Sequence, residues 1–180
     1  MLNIIDEFTR ECLTIDVARS ITADDVVNRL DELMKERGAP HFLRMDNGPE
    51  FVAHALNDWC RFNNAGSLFI DPGSPWQNGW IESFNARLRD EFLNGQQFDS
   101  LLEAKVLLED WRHEYNHERT HSALRRLTPV KFAETWKFRN QQRLAELGLV
   151  FGVRPRRRSF PTRRFLSWSS TPLSSSGIAE

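Results

Sequence analysis

The sequence predicts an α/β fold, and three observations carry that expectation. Short apolar or alternating runs suited to strands occur at MLNIID, CLTIDVA (12–18), HFLRM (41–45) and SLFI (67–70). Between them, apolar residues recur at helical spacing. Strand-like and helix-like segments alternate to about residue 70, and from about residue 77 the 180-residue chain turns mostly helical.

MLNIID and CLTIDVA are separated by a polar stretch with a turn around residues 7–11, so they can form an antiparallel pair. Thr22, with Asp24 and Asp25 behind it, has the chemistry of a helix N-cap with acids in the first turn. Val26, Val27, Leu30, Leu33 and Met34 form the stripe of that helix, and Gly38 to Pro40 ends it. HFLRM closes on Asn47-Gly48. Pro49 then opens a helix lined by Phe51, Leu56, Trp59 and Phe62. After SLFI comes the loop DPGSPWQNG. Ile81, Phe84, Leu88 and Phe92 mark one further helix. Leu101, Ala104, Leu108, Trp111 and Tyr115 mark the next, with Asp99 as its cap. Thr128-Pro129 starts a shorter helix carrying Phe132 and Trp136.

Composition excludes some classes. The longest apolar runs are a few residues, well below the roughly 18 of a membrane-spanning helix, and no basic-then-apolar leader opens the chain. Two cysteines, Cys12 and Cys60, are too few for a disulfide framework and fit a reducing, cytoplasmic setting. The formal net charge of −1 conceals segregation. Residues 151–180 hold six arginines against one acid, Glu180, so the body is acidic and the tail basic. With seven serines and three prolines, that tail is expected to be disordered. It is expected to bind DNA phosphates, to be a solvated extension, or to be out-of-frame sequence.

Two carboxylates stand out. Asp46 ends a predicted strand and Glu82 opens a predicted helix, with 35 residues between them. Hard divalent cations take oxygen ligands, and two-metal phosphoryl transfer needs carboxylates converging from separate elements. Each acid taken alone reads more readily as an ordinary cap. Asn78, Glu82, Asn85 and Arg89 form a polar ridge beside the apolar stripe. A carboxylate, an amide and a guanidinium on one face suit a nucleic-acid backbone, and also suit a solvated face.

FLRMDNGPEF, SPWQNGWIESFNARLRDEF and WRHEYNHERTHSALRRLTPVKFA resemble three successive signatures of bacterial insertion-sequence transposases with a retroviral-integrase-like core. The resemblance covers about residues 1–137, leaving 138–150 as a helical extension and 151–180 as the tail. It implies an RNase H-like mixed sheet flanked by helices, and DNA strand transfer by a D,D,E triad holding Mg²⁺ or Mn²⁺. Asp46 matches the second carboxylate and Glu82 the third, both as metal ligands. Asn85 and Arg89 match polar positions where contact with the element's DNA end is implied. The family's first Asp lies on a strand upstream of the segment resembling LNIIDEFTRE. The expectation is therefore a core truncated at its amino end and inactive alone, which self-associates or joins intact transposase. Asp6 matches a non-catalytic position and is assigned a turn or strand-end role. The absent strand would bridge residues 1–6 to 41–45, so the chain should be marginally stable or fill the gap with another strand.

Other segments carry competing signals. His113-Glu114-Tyr115-Asn116-His117 spells H-E-x-x-H, a zinc-peptidase pattern that lacks a well-placed third ligand and also fits a solvated helix face. Tyr115, Asn116, Arg119 and His121 are expected to lock the helices onto the core rather than touch DNA. Trp76 either stacks on a DNA base or anchors its loop. Trp59, Trp111 and Trp136 are expected in the core.

Overall fold

The computed structural model describes residues 1–45, 50–69, 79–146 and 165–170. Strand β1 (Leu2–Asp6) pairs antiparallel with β2 (Cys12–Asp16), with a bulge between Ile4 and Ile5. The turn between them is tied by Asp6. Its carboxylate accepts the backbone N–H groups of Phe8 (2.9 Å) and Thr9 (3.2 Å), an Asx-type closure. Its backbone N–H donates to Glu11 O, and its carbonyl accepts from Arg10 N–H, which has φ = 63°. Asp6 therefore holds a turn.

Helix α1 (Ala23–Arg37) starts on a capping box. Thr22 accepts from Asp25 N–H, and the Asp25 carboxylate accepts from Thr22 N–H at 2.8 Å. Strand β3 (Phe42–Met45), helix α2 (Glu50–Phe62) and strand β4 (Gly66–Phe69) form a parallel crossover unit. Helices α3 (Gly79–Glu91), α4 (Leu101–His117) and α5 (Pro129–Glu146) complete the chain order before the tail. Helix α5 runs on past residue 137, where the resemblance was expected to end.

Two apolar layers sandwich the sheet. Leu2, Ile4, Leu13 and Leu43 meet Val26, Leu30 and Leu33 of α1 and Leu56, Trp59 and Cys60 of α2. On the other face, Ile5, Cys12 and Val17 meet Ile81, Phe84 and Leu88 of α3 and Leu108, Trp111 and Tyr115 of α4. Two expectations need correction. Phe62 is 87% exposed, because at 100° per residue it lies about 120° round the helix from Leu56, and Cys60 takes the inward place. Ser100, not Asp99, caps α4 and accepts from Glu103 N–H. Trp136 is half-buried and packs edge-on against Phe8, while Trp59 and Trp111 are buried. No described helix is long and apolar enough to cross a membrane.

The centre of the sheet comes from the tail. Residues Phe165–Ser170 form strand β5, giving the order β2-β1-β5-β3-β4. It runs antiparallel to β1, from Leu2↔Ser170 to Asp6↔Leu166, and parallel to β3, from Phe42↔Phe165 to Met45↔Trp168. Disorder was expected throughout 151–180, and for these six residues it does not hold. Leu166 joins the layer of Leu2, Ile4 and Leu43. Ser167, on the opposite face, is fully buried and donates its hydroxyl to Glu7, whose carboxylate also accepts Arg44 Nε at 2.8 Å. The gap expected between residues 1–6 and 41–45 is filled, and both inner edges have backbone partners.

Leu166→Ala is expected to cost about 2–4 kcal/mol, the range for truncating a buried leucine. Deleting residues 165–180 should remove much of the cooperativity of a urea melt. Unchanged midpoints in both variants would place β5 outside the folded sheet.

Candidate functional site

Helix α3 brings the predicted ridge onto the structure. Ile81, Phe84 and Leu88 are buried, which leaves Glu82 exposed in the first turn, near the positive end of the helix. One turn on, Asn85 is half-buried and its Oδ1 accepts Asn3 Nδ2 at 2.8 Å. Asn3 is fully buried on β1 and is the register partner of Ser169 on β5. That hydrogen bond pins α3 above the middle of the sheet and sets the position from which Glu82 projects. Arg89 is exposed two turns from Glu82. Asp46 directly follows the last residue of β3; it, Trp76 and Asn78 lie outside the described residues.

A second set of contacts clamps α4 to the β1–β2 hairpin. The buried Asn116 side chain accepts Cys12 N–H at 2.9 Å and donates to Cys12 O at 2.8 Å. Arg112 donates to the carbonyls of Cys12 and Leu13 at 3.1 and 3.4 Å. Phe84, Trp111 and Tyr115 form an aromatic cluster with centroids 5.2–5.7 Å apart. Burial pushes the Tyr115 hydroxyl up to about 12 and raises the Cys12 thiol as well. Tyr115 and Asn116 thus act in packing. His113, Glu114 and His117 are exposed on α4, with the two imidazoles stacked at 4.2 Å. No group of three or more His, Cys, Asp or Glu placed to hold a metal occurs among the described residues.

Arginines that no linear spacing connects meet beside α3. A cleft of about 770 Å³ is lined by Arg10 from the β1–β2 turn, Trp80 and Arg87 from α3, Arg119 and His121 after α4, and Arg126 from the next turn. The Arg10 guanidinium lies 3.1 Å above the Trp80 ring, which is 48% exposed. Arg119 forms a two-pronged ion pair with Glu91. Burial, and then the charges of Arg87, Arg119 and Arg10, lower the His121 pKa to about 4. Sequence reasoning singled out Arg119 and His121 but missed Arg10, Trp80, Arg87 and Arg126, because the fold alone gathers them.

Comparison with known proteins decides the family. Two family models, both described as an integrase core domain, match residues 1–75 and 66–129. The chain belongs to the integrase core family. It is 43% identical over 136 residues to the 39.2 kDa protein of insertion element IS476 from Xanthomonas euvesicatoria, covering 76% of this chain and 39% of that protein. It is 42% identical over 132 residues to the 31.7 kDa protein of insertion element IS407 from Burkholderia multivorans, covering 73% and 48%. The chain thus matches less than half the length of either relative. The crystal structure of the catalytic core domain of BIV integrase superposes with a TM-score of 0.57 at 21% identity, over 77% of this chain and 89% of that one. The fold is accordingly the RNase H-like integrase core, whose members depend on divalent metal ions. Strand β5 lies beyond both matched ranges, yet sits at the centre of this integrase-core sheet.

Asn116→Ala should destabilise the protein by about 2 kcal/mol, since the Cys12 N–H would lose its buried side-chain acceptor and the Cys12 C=O would keep only Arg112. In pH terms, the fold holds His121 neutral. The stabilisation is complete above the ordinary value of 6.5 and is lost as pH falls towards about 4. His121→Gln should therefore flatten the decline in urea midpoint between those values, with Arg10, Arg87, Arg119, Glu91 and Tyr115 around it unchanged. A parallel decline in variant and parent would count against this.

Proposed function

We propose that the chain is the core of an insertion-element transposase that cleaves DNA phosphodiesters and transfers strands, with Glu82 and Asp46 as carboxylate ligands of Mg²⁺ or Mn²⁺. The observation that supports this most strongly is the integrase-core match across residues 1–129 together with Glu82 exposed on the α3 turn that Asn3 and Asn85 fix over the sheet. The donor set suits a hard divalent ion, since both residues offer carboxylate oxygen. Such an ion would supply activation of a water or 3′-hydroxyl nucleophile and stabilisation of the leaving oxygen. Asn85 and Arg89 orient the strand by hydrogen bonds to its backbone, and Trp76 stacks on a base. DNA ends and target are the substrates, further copies or longer transposase chains the partners, and the cytoplasm the setting.

A second reading has its own observation. In the place that the resemblance gives to the family's first strand, β5 reads FLSWSS and offers no carboxylate. On that reading the chain is a DNA-binding or co-assembling module without strand-transfer activity of its own.

Incubating the full chain with labelled element-end duplexes tests the two. Nicking or joining that requires Mg²⁺ or Mn²⁺ and vanishes in Asp46→Asn and Glu82→Gln supports the enzyme. No product with either ion, while the duplex is still retained, leaves the binding module.

A further inference from the structure

We propose that the arginine-lined cleft beside α3 is a docking site for the phosphate backbone of duplex DNA, separate from the carboxylates. This rests on the DNA reading above for the choice of nucleic acid, and on the cleft itself for the choice of site.

Charge is the first argument. Arg10, Arg87, Arg119 and Arg126 line the cleft against a single acid, Glu91, which Arg119 already pairs. Arg87 and Arg126 are exposed and make no salt bridge among the described residues. The body of this protein is acidic overall, so a local excess of guanidinium groups is a departure from its surroundings.

Unspent hydrogen-bonding capacity is the second. Nε and Nη1 of Arg10 and Nε2 of His121 are buried without a hydrogen-bond partner. Such groups are costly to leave unpaired, and a phosphate that drew the Arg10 side chain towards the cleft would give its guanidinium donors acceptors. Burial disfavours charge on both side chains, lowering the pKa values of Arg10 and His121, and a bound anion would reverse that penalty.

Preorganisation is the third. Arg10 stands at φ = 63° in the turn that Asp6 ties, and its guanidinium is stacked on Trp80. Arg126 stands at φ = 62° in a loop closed by His121 N–H to Leu127 O and Arg126 N–H to His121 O. Cations held by tied turns lose little freedom on binding. The cleft, at about 770 Å³, is far larger than one phosphate needs and is open along α3, which suits a backbone rather than a small anion. Trp80 and Ser83 belong to it and flank Glu82 in sequence, so DNA held here runs past the exposed carboxylate.

The test is fluorescence anisotropy of the full chain with a short fluorescein-labelled DNA duplex, in EDTA across a salt series. Arg87→Gln and Arg126→Asn, both exposed and compatible with their backbone geometry, should each weaken binding severalfold. Each should also lower the slope of log K against log[salt] by about one. Arg87→Lys should retain the slope. Arg61→Gln, on the opposite layer and 85% exposed, removes the same charge and should change little. Equal effects of Arg61→Gln and the cleft variants would overturn the site, leaving only diffuse charge. Preference for an RNA duplex of the same sequence would overturn the assignment to DNA. Because the binding assay contains no metal, tight cleft-dependent binding there, with no cleavage in a separate Mg²⁺ incubation, would sink the transposase reading alone. Cleavage with unaltered binding in the cleft variants would sink the cleft alone.

Discussion

The inner edges of β1 and β3 face one another across the width of one strand, and each presents a row of backbone donors and acceptors that water cannot reach in the folded protein. A strand that satisfies both must run antiparallel to one and parallel to the other. Residues 166–170 do so against β1 and residues 165–168 against β3. Much else follows from that pairing. Leu166 completes the layer under α1 and α2, and Ser167 shares Glu7 with Arg44, crosslinking segments from three parts of the chain. Helix α3 packs across β5 as well as binding β1 through Asn3, so the position of Glu82 depends on a segment more than 80 residues away in sequence.

The near-neutral total charge takes its meaning from this geometry. Asp25 caps α1 and Asp6 ties the β1–β2 turn, while four arginines converge on one cleft beside α3. A protein can therefore be acidic on average and still offer a polyanion a local site of opposite sign, because screening limits the reach of each exposed charge to roughly 10 Å at moderate salt. Only within that distance does the arrangement matter.

Most of the fold was legible in the sequence because its signals are local. The strand patterns at β1 to β4, the Thr22 capping box, and the stripes Ile81–Phe84–Leu88 and Ala104–Leu108–Trp111–Tyr115 all recur in the structure at the expected places. The resemblance of three motifs carried the fold class. Strand β5 was hidden because its six residues lie in an arginine, serine and proline background, and composition outweighed a short alternation of Leu166 and Trp168 with serines. Phe62 was misplaced by a helical stripe followed one step too far. For the site, Glu82, Asn85 and Arg89 could be read from helix spacing. Arg10, Trp80, Arg87 and Arg126 could not, since they come from three elements that only the tertiary fold aligns.

The acids near the sheet centre constrain the chemistry further. Asp6 is occupied by two turn amides, and Glu7 is held by Arg44 and Ser167. Glu11 accepts Thr9 Oγ1 at 2.9 Å and Arg37 Nη1 at 3.0 Å. Each of these carboxylates is buried and compensated by guanidinium or hydrogen-bond donors, so drawing one onto a divalent ion would leave a half-buried arginine or a turn without its partner. Glu82 is different: it is exposed at a helix start, with no such partner among the described residues to displace. The strand between β1 and β3 carries no carboxylate in its sequence, and its buried Ser167 is already engaged by Glu7. On the proposed reading the metal chemistry of this sheet would rest on Glu82 and Asp46, because the carboxylates of Asp6, Glu7 and Glu11 are already engaged.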